Sequence, residues 1–263
     1  MVKRAIVYFL SIVILFGLWW GASGTLKAIY SGQPEGSIKA YALPPPLEAL
    51  KVLKNDWKEI GKHFTASAYR IIISVLLSLV LAVPLGLIIG HEKAADKLLS
   101  PMVYTTYPIP KIVFLPLLFV FLGLGNAPKI ALITLMISFQ ILLSARDAAK
   151  NIPKDYIISV LSTGANKWQI YRHVVIPASL PAVLTSARIS IGIAIAALAL
   201  TESWAAGVGF LERYGLWYYI AYQDRILAYA DMFAGIVAMA LLGLLLYIII
   251  DVIERIVCRW NYL

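Results

Sequence analysis

The chain has 263 residues, 61% of them hydrophobic and only 14% charged, with a mean hydropathy of +0.82 and a formal net charge of +9. That composition excludes an ordinary soluble domain and marks an integral membrane protein. The basic residues are spread along loops between apolar runs, so they point to anionic headgroups and a cytosolic partner and not to nucleic acid, while a single cysteine, Cys258, excludes an internal disulfide or a cysteine-held metal.

Crossing about 30 Å of hydrocarbon takes roughly 20 apolar residues. By that measure six spans are predicted, at 5–22, 67–90, 101–123, 129–145, 182–204 and 229–252. The first follows Lys3 and Arg4 and is longer than the core of a signal peptide, so it reads as a retained anchor with Trp19 and Trp20 at the far interface. Next, "YALPPPLEALKVLKNDWKEIGKHF" sets Leu47, Leu50, Leu53, Trp57, Ile60 and Phe64 at helical spacing, which predicts one interfacial amphipathic helix started by the prolines. Pro108 and Pro110 predict a break near Ile109 in the third span, and "GLGNAP" a tight hairpin into the fourth. Arg70 and Arg188 lie near span ends, where the ordinary reading is a side chain that snorkels to headgroups.

The interval between the fourth and fifth spans, 146–181, is polar and basic: "RDAAKNIPKDYIISVLSTGANKWQIYRHVVIPASLP". Pro153 suits a helix start, Ile157, Ile158 and Leu161 fall on one face, and Gly164 suits the left-handed residue that ends a helix. Asn166 suits the cap of a second short helix, with Trp168, Tyr171 and Val175 on one face and Pro177 as its stop. Pattern alone favours an interfacial segment over a docking element.

In the fifth span Ser186, Ser190 and Ala194 recur every four residues, a spacing that serves close packing within one subunit, a seam between subunits or a transport path. Glu202 is the acid within that run, placed to pair with an arginine, to hold a gate or simply to support structure, and Ser203 follows it. Ser190, Ala194, Glu202 and Ser203 are the candidate path or gate residues. The segment 204–229 is dense in Trp and Tyr, as interface anchors are, and would alternatively form a docking surface for a substrate-delivering protein. His63, His91 and His173 are scattered among loops without metal-ligand spacing and read as solvated side chains.

The 146–181 interval resembles the permease subunits of ATP-binding-cassette (ABC) importers, whose signature has Glu-Ala-Ala, a glycine after three further residues and an Ile-x-Leu-Pro ending. Gly164 takes the glycine place, and Val174, Ile176 and Pro177 the ending. The Glu-Ala-Ala positions fall on Ile158, Ser159 and Val160, a departure in residue type. "LPPPLEAL", "PIPKIVFLPLLFVFLGLGNAPKI" and "ARISIGIAIAALALTES" look like the nitrate, sulfonate, taurine and bicarbonate branch. The resemblance implies an all-α membrane protein with the core of a type I, MetI-like importer permease. It divides the chain into an anchor and extracytoplasmic segment (1–64), a permease core (65–252) carrying the 146–181 coupling loop, and a cytoplasmic tail (253–263). The implied coupling residues are Ile158, Ser159, Val160, Gly164, Ala165, Trp168, Tyr171, Ile176 and Pro177.

The implied partners are a second permease copy, two ATPase subunits holding ATP and Mg, and an extracytoplasmic binding protein that delivers a small solute, an anion such as nitrate, sulfonate, taurine or bicarbonate or, alternatively, a vitamin precursor or other small heterocycle. No phosphate-binding glycine loop occurs here, so ATP hydrolysis is expected elsewhere. Lys3 and Arg4 set both termini on the cytoplasmic side, with 23–64 and 205–228 outside. The rival readings are an ion-gradient-driven secondary carrier or channel, such carriers usually showing paired repeats that are not apparent here, and a membrane enzyme, which needs a convergent polar cluster.

Overall fold

The computed structural model describes residues 2–31, 41–207 and 214–261. Within them the chain forms helices α1 (Val2–Tyr30), α2 (Pro46–Asn55), α3 (Trp57–His91), α4 (Lys93–Thr106), α5 (Leu115–Leu122), α6 (Asn126–Lys150), α7 (Lys154–Leu161), α8 (Lys167–Ile170), α9 (Ile176–Gly207), α10 (Leu216–Arg225) and α11 (Tyr229–Val257). Four described helices, Trp57–His91, Asn126–Lys150, Lys167–Trp204 and Tyr229–Val257, are long and apolar enough to cross a membrane, and α4 with the Lys111–Leu122 segment makes a fifth if that bent pair is one span. The six-span reading takes α1, which contains residues 5–22, as the remaining crossing.

Two compact units are present, Met1–Ser67 with Arg213–Leu241, and Ala68–Glu212 with Leu242–Leu263. In the first, α1 is tied to the proline turn, because Trp19 Nε1 donates to the Pro44 carbonyl (3.0 Å) and Ser23 Oγ to that of Leu43 (2.8 Å). The predicted single amphipathic helix is two helices: α2 stops at Asn55 and α3 begins at Trp57. Asn55 and Asp56 are poor interior helix residues, since their short polar side chains compete for nearby backbone groups. Ile60 is buried while Leu47 and Trp57 are exposed, so the expected stripe is split. His63 is buried rather than solvated, stacked among Tyr214, Tyr218 and Tyr219, with Nδ1 accepting from the Gly215 N–H (3.1 Å).

The second unit is built on close backbone approach. Gly86 and Gly90 of α3 face Ala145 and Ala149 of α6, and a Cβ placed on Gly86 would stand 2.5 Å from the Leu142 carbonyl oxygen. This is the small-residue packing that substitutes in lipid for a hydrophobic driving force. Serines add hydrogen bonds onto α6 from two helices: from α3, Ser74 Oγ donates to the Ile130 carbonyl (3.1 Å) and Ser78 Oγ to that of Thr134 (3.2 Å), and from α9, Ser186 Oγ donates to that of Gln140 (3.3 Å).

The third predicted span is broken by 85° between α4 and a 3-10 turn at Lys111–Phe114. Pro108 and Pro110 supply no N–H groups there, and beside them the Lys111 ammonium donates to the Thr106 carbonyl (3.3 Å), four residues before Pro110, and to the Tyr107 carbonyl, and lies 4.3 Å from the Phe139 ring centroid. Gly123 (φ +74°) and Gly125 (φ +150°) then make the turn into α6.

Candidate functional site

The 146–181 interval folds as an elbow. Pro153 precedes α7, a proline at the entrance where a missing N–H costs nothing. Gly164 sits at φ +80° with nothing within 4 Å of where a Cβ would be, so the glycine is needed for backbone conformation and not for space. Asn166 then caps α8 through a reciprocal box: its side chain accepts from the Gln169 N–H (2.9 Å) and Gln169 Oε1 accepts from the Asn166 N–H (2.8 Å).

Pro177 does not stop the second helix. Tyr171–Val175 forms a π turn, in which the Ile176 N–H reaches back five residues to the Tyr171 carbonyl, and α9 continues through Pro177 and Pro181 to Gly207. The wider turn accommodates a residue with no N–H to give and a ring that would press on the carbonyl four residues earlier. The elbow is therefore continuous with the fifth span.

The two faces of the elbow differ from the sequence expectation. Its inner side is Ile157, Val160, Ile170, Tyr171, Val174 and Val175, packed with Ile152 against Leu87, Ala145, Ala149 and Val183. Ile158 and Leu161 are exposed, so Ile157 pairs with Val160 instead, and Trp168 is turned away from Tyr171 and Val175 at 67% exposure. Ser159 and Ile176 are also exposed, and Ala165 and Pro177 half-buried. Tyr156, Ile158, Leu161 and Trp168 thus present large apolar surface on a segment whose opposite side is fixed in a core. Such a surface on a rigid support is what a partner groove needs.

The path candidates on α9 separate. Ser190 and Ala194 are fully buried, and the Ser190 hydroxyl has no hydrogen-bond partner among the described residues. Ser203 is exposed and bonds back to the Ala199 carbonyl (2.7 Å). Glu202 is 1% exposed and accepts from Arg70 Nη1 at 2.7 Å, while Arg70 Nε donates to Asn126 Oδ1 at 2.6 Å. Arg70 therefore does not snorkel. Nor does Arg188, which pairs with Asp251 and Glu254 and lies over the Tyr247 ring. Two arginines placed toward span ends satisfy acids on neighbouring helices because an unpaired charge there would cost far more.

A groove of about 620 Å³ opens along α3, α4 and α6, with Leu77, Leu81, Met102, Thr106, Thr134 and Ser138 among its lining, so the wall of that groove is made by the bent helix and not by α9. Its polar side chains are hydroxyls set among apolar ones, Thr134 buried, Ser138 half-buried and Thr106 exposed. The sequence pattern did not single these out, since each is an ordinary hydroxyl in an apolar run. No group of three His, Cys, Asp or Glu that could hold a metal occurs among the described residues. Cys258 is buried, which pushes its thiol up from the usual range.

Residues 82–258 match the family model described as the inner membrane component of binding-protein-dependent transport systems. The chain is 27% identical over 260 residues to the taurine transport system permease TauC of Escherichia coli K12, covering 95% of this chain and 88% of that one. It is 26% identical to the formylaminopyrimidine transport permease ThiX of Halalkalibacterium halodurans, covering 90% of each. An inward-facing crystal form of the methionine ABC transporter MetNI matches 75% of this chain and 95% of its own with a TM-score of 0.60 at 23% identity, a likeness of fold.

Proposed function

The chain belongs to the family of binding-protein-dependent transport system inner membrane components and is the permease subunit of an ABC importer, and we propose that it carries a small sulfonate-type anion. A transport subunit of this kind hydrolyses no ATP itself, the ATPase being a separate chain. In the proposed assembly two copies of the chain stand over two ATPase subunits, which hold ATP and Mg, and an extracytoplasmic protein delivers the solute. Both termini and the 146–181 elbow face the cytoplasm.

The observation that carries the docking reading is the two-sided elbow: Trp168, Ile158 and Leu161 outward, Ile157, Val160 and Val175 fixed inward. Movement of an ATPase groove gripping the outer side is passed to α6 and α9 because the inner side cannot slip within a packed core. Ser159, Gly164 and Ala165 set the shape of the docked face, while Ile176 and Pro177 carry it into α9. Ser190, Ala194, Glu202 and Ser203 are proposed to shape the path indirectly, by fixing α9 and the outer end of α3, with the groove along α3, α4 and α6 as the solute-facing wall.

Support for the anion comes from the taurine permease match over nearly the whole chain. The almost equal match to ThiX favours, as a second reading, a small heterocycle. Uptake into vesicles holding the complete complex separates the two. Labelled taurine entering with ATP, and competed by alkylsulfonates but not by aminopyrimidines, is the expected result, and the reverse pattern of competition would refute the anion reading.

A further inference from the structure

Asp96, in the first turn of α4, gathers three donors: Arg146 Nη2 at 2.8 Å, Lys150 Nζ at 2.7 Å and the Ser100 hydroxyl. Arg146 is held further by the Tyr104 hydroxyl (2.7 Å) and Asp147 (2.8 Å). Asp96, Ser100 and Tyr104 recur every four residues, so one face of α4 lies along the last turns of α6. On another side of those same α6 turns, Ala145 and Ala149 press on Gly86 and Gly90 and belong to the core that holds the elbow. Only Asn151, Ile152 and Pro153 separate Lys150 from α7.

The end of α6 is therefore grasped from two directions, by the elbow through apolar packing and by α4 through charge. At its other end α4 reaches the 85° break, and its Met102, Val103 and Thr106 line the groove. We infer that Asp96 is a positioning residue that transmits displacement of the elbow into α4, so that the groove wall turns about Tyr107–Pro110 when the elbow moves. The inference rests on the elbow being the docked element. A carboxylate with three charge-assisted or hydroxyl donors resists sliding, because a shift of one helical turn, about 5.4 Å, breaks all of them together. The cluster is partly open to solvent, with the Asp96 side chain 26% and the Lys150 side chain 48% exposed, so its contribution to folding is small and its loss shows in coupling.

The test uses the full complex in proteoliposomes, reading solute uptake and ATP hydrolysis in the same preparation. Asp96→Asn is expected to keep its ATPase subunits and at least half of the hydrolysis rate while uptake falls about tenfold, so that uptake per ATP collapses. Asp96→Cys with Lys150→Cys, bridged by a short, reducible bis-methanethiosulfonate, is expected to recover at least half of that ratio and to lose it again on reduction, which a role in folding alone would not produce. An Asp96→Asn complex with the wild-type ratio, or a bridged complex that stays uncoupled, overturns the inference. Trp168→Ala is run alongside: retention of wild-type uptake and bound ATPase by that variant would sink the docking reading and this inference with it, whereas failure of the Asp96 variants with Trp168→Ala impaired sinks the inference alone.

Discussion

Arg70 and Glu202, 132 positions apart in the chain, meet at 2.7 Å with both side chains 1% exposed. The pair joins the N-terminal half of α3 to the end of α9, and Asn126 at the start of α6 accepts from the same guanidinium. Charges this deeply buried persist only when each satisfies the other.

Removing one partner should therefore cost more than removing both. Glu202→Met and Arg70→Met each take this counter-charge from a buried charge, and each should lower the stability of the solubilised chain by about 3–5 kcal/mol. Arg70→Met with Glu202→Met should cost far less than the sum. Thermal unfolding in detergent of the four proteins forms the cycle, and additive losses would show that the two side chains do not depend on each other.

The same pair shows what a sequence conceals. Long apolar runs, the proline break and the Gly164 turn were legible because each is a local property of consecutive residues. The partner of Arg70 was not, since nothing in the chain order brings position 202 to position 70. Pro177 read as a stop for the same reason: the rule is local, whereas the π turn that absorbs the proline belongs to a helix held by its packing. The elbow's inner face differs from the pattern because Ile157, Ile158, Val160 and Leu161 are all apolar, and an exposed apolar face is indistinguishable in sequence from a buried one. "GLIIG" and "ARDAA" carried the small-residue spacing of the α3–α6 contact openly. That signal was readable and was not singled out.

Substitutions at that contact should be graded by the space available. Gly86→Ala forces a Cβ to 2.5 Å from a carbonyl oxygen and 2.8 Å from the Ala145 Cβ, so the backbones must part, at a cost of about 1–3 kcal/mol. Gly192→Ala, where nothing lies within 4 Å, should be neutral or slightly stabilising within its helix. The thermal midpoints of the two variants in one detergent check this, and equal midpoints would mean that α3 and α6 adjust freely.

Topology can be checked against a quiet background, because the native thiol of Cys258 is buried and its ionisation suppressed. Lys58→Cys and Lys167→Cys both place a thiol on an exposed residue. In intact cells an impermeant maleimide should label the first and spare the second, and inside-out vesicles should reverse the pattern. External labelling of Lys167→Cys would invert the proposed orientation and remove the elbow from the ATPase.

The elbow itself separates shape from contact. Gly164 holds φ +80°, where a β-branched side chain is strained, so Gly164→Val should add about 1–2 kcal/mol of local strain and misdirect α8, whereas Gly164→Asn, which tolerates the left-handed region, should retain most transport. Trp168→Ala leaves the turn and the Asn166 cap untouched and removes only the most exposed large apolar side chain of the loop, for a docking loss of about 2 kcal/mol if it fills a pocket on the ATPase. All three variants should still insert, because the backbone hydrogen bonds of the long helices are unaltered. Gly164→Val, which leaves Tyr156, Ile158 and Leu161 of α7 in place, should then retain part of its bound ATPase but hydrolyse without transport, while Trp168→Ala should shed the ATPase during purification. Lys93→Ala, at the exposed start of α4, should do neither. Co-purification, hydrolysis and uptake measured on the same membranes give each variant a distinct signature, and wild-type values for both Gly164→Val and Trp168→Ala would reduce the elbow to an interfacial segment with no part in coupling.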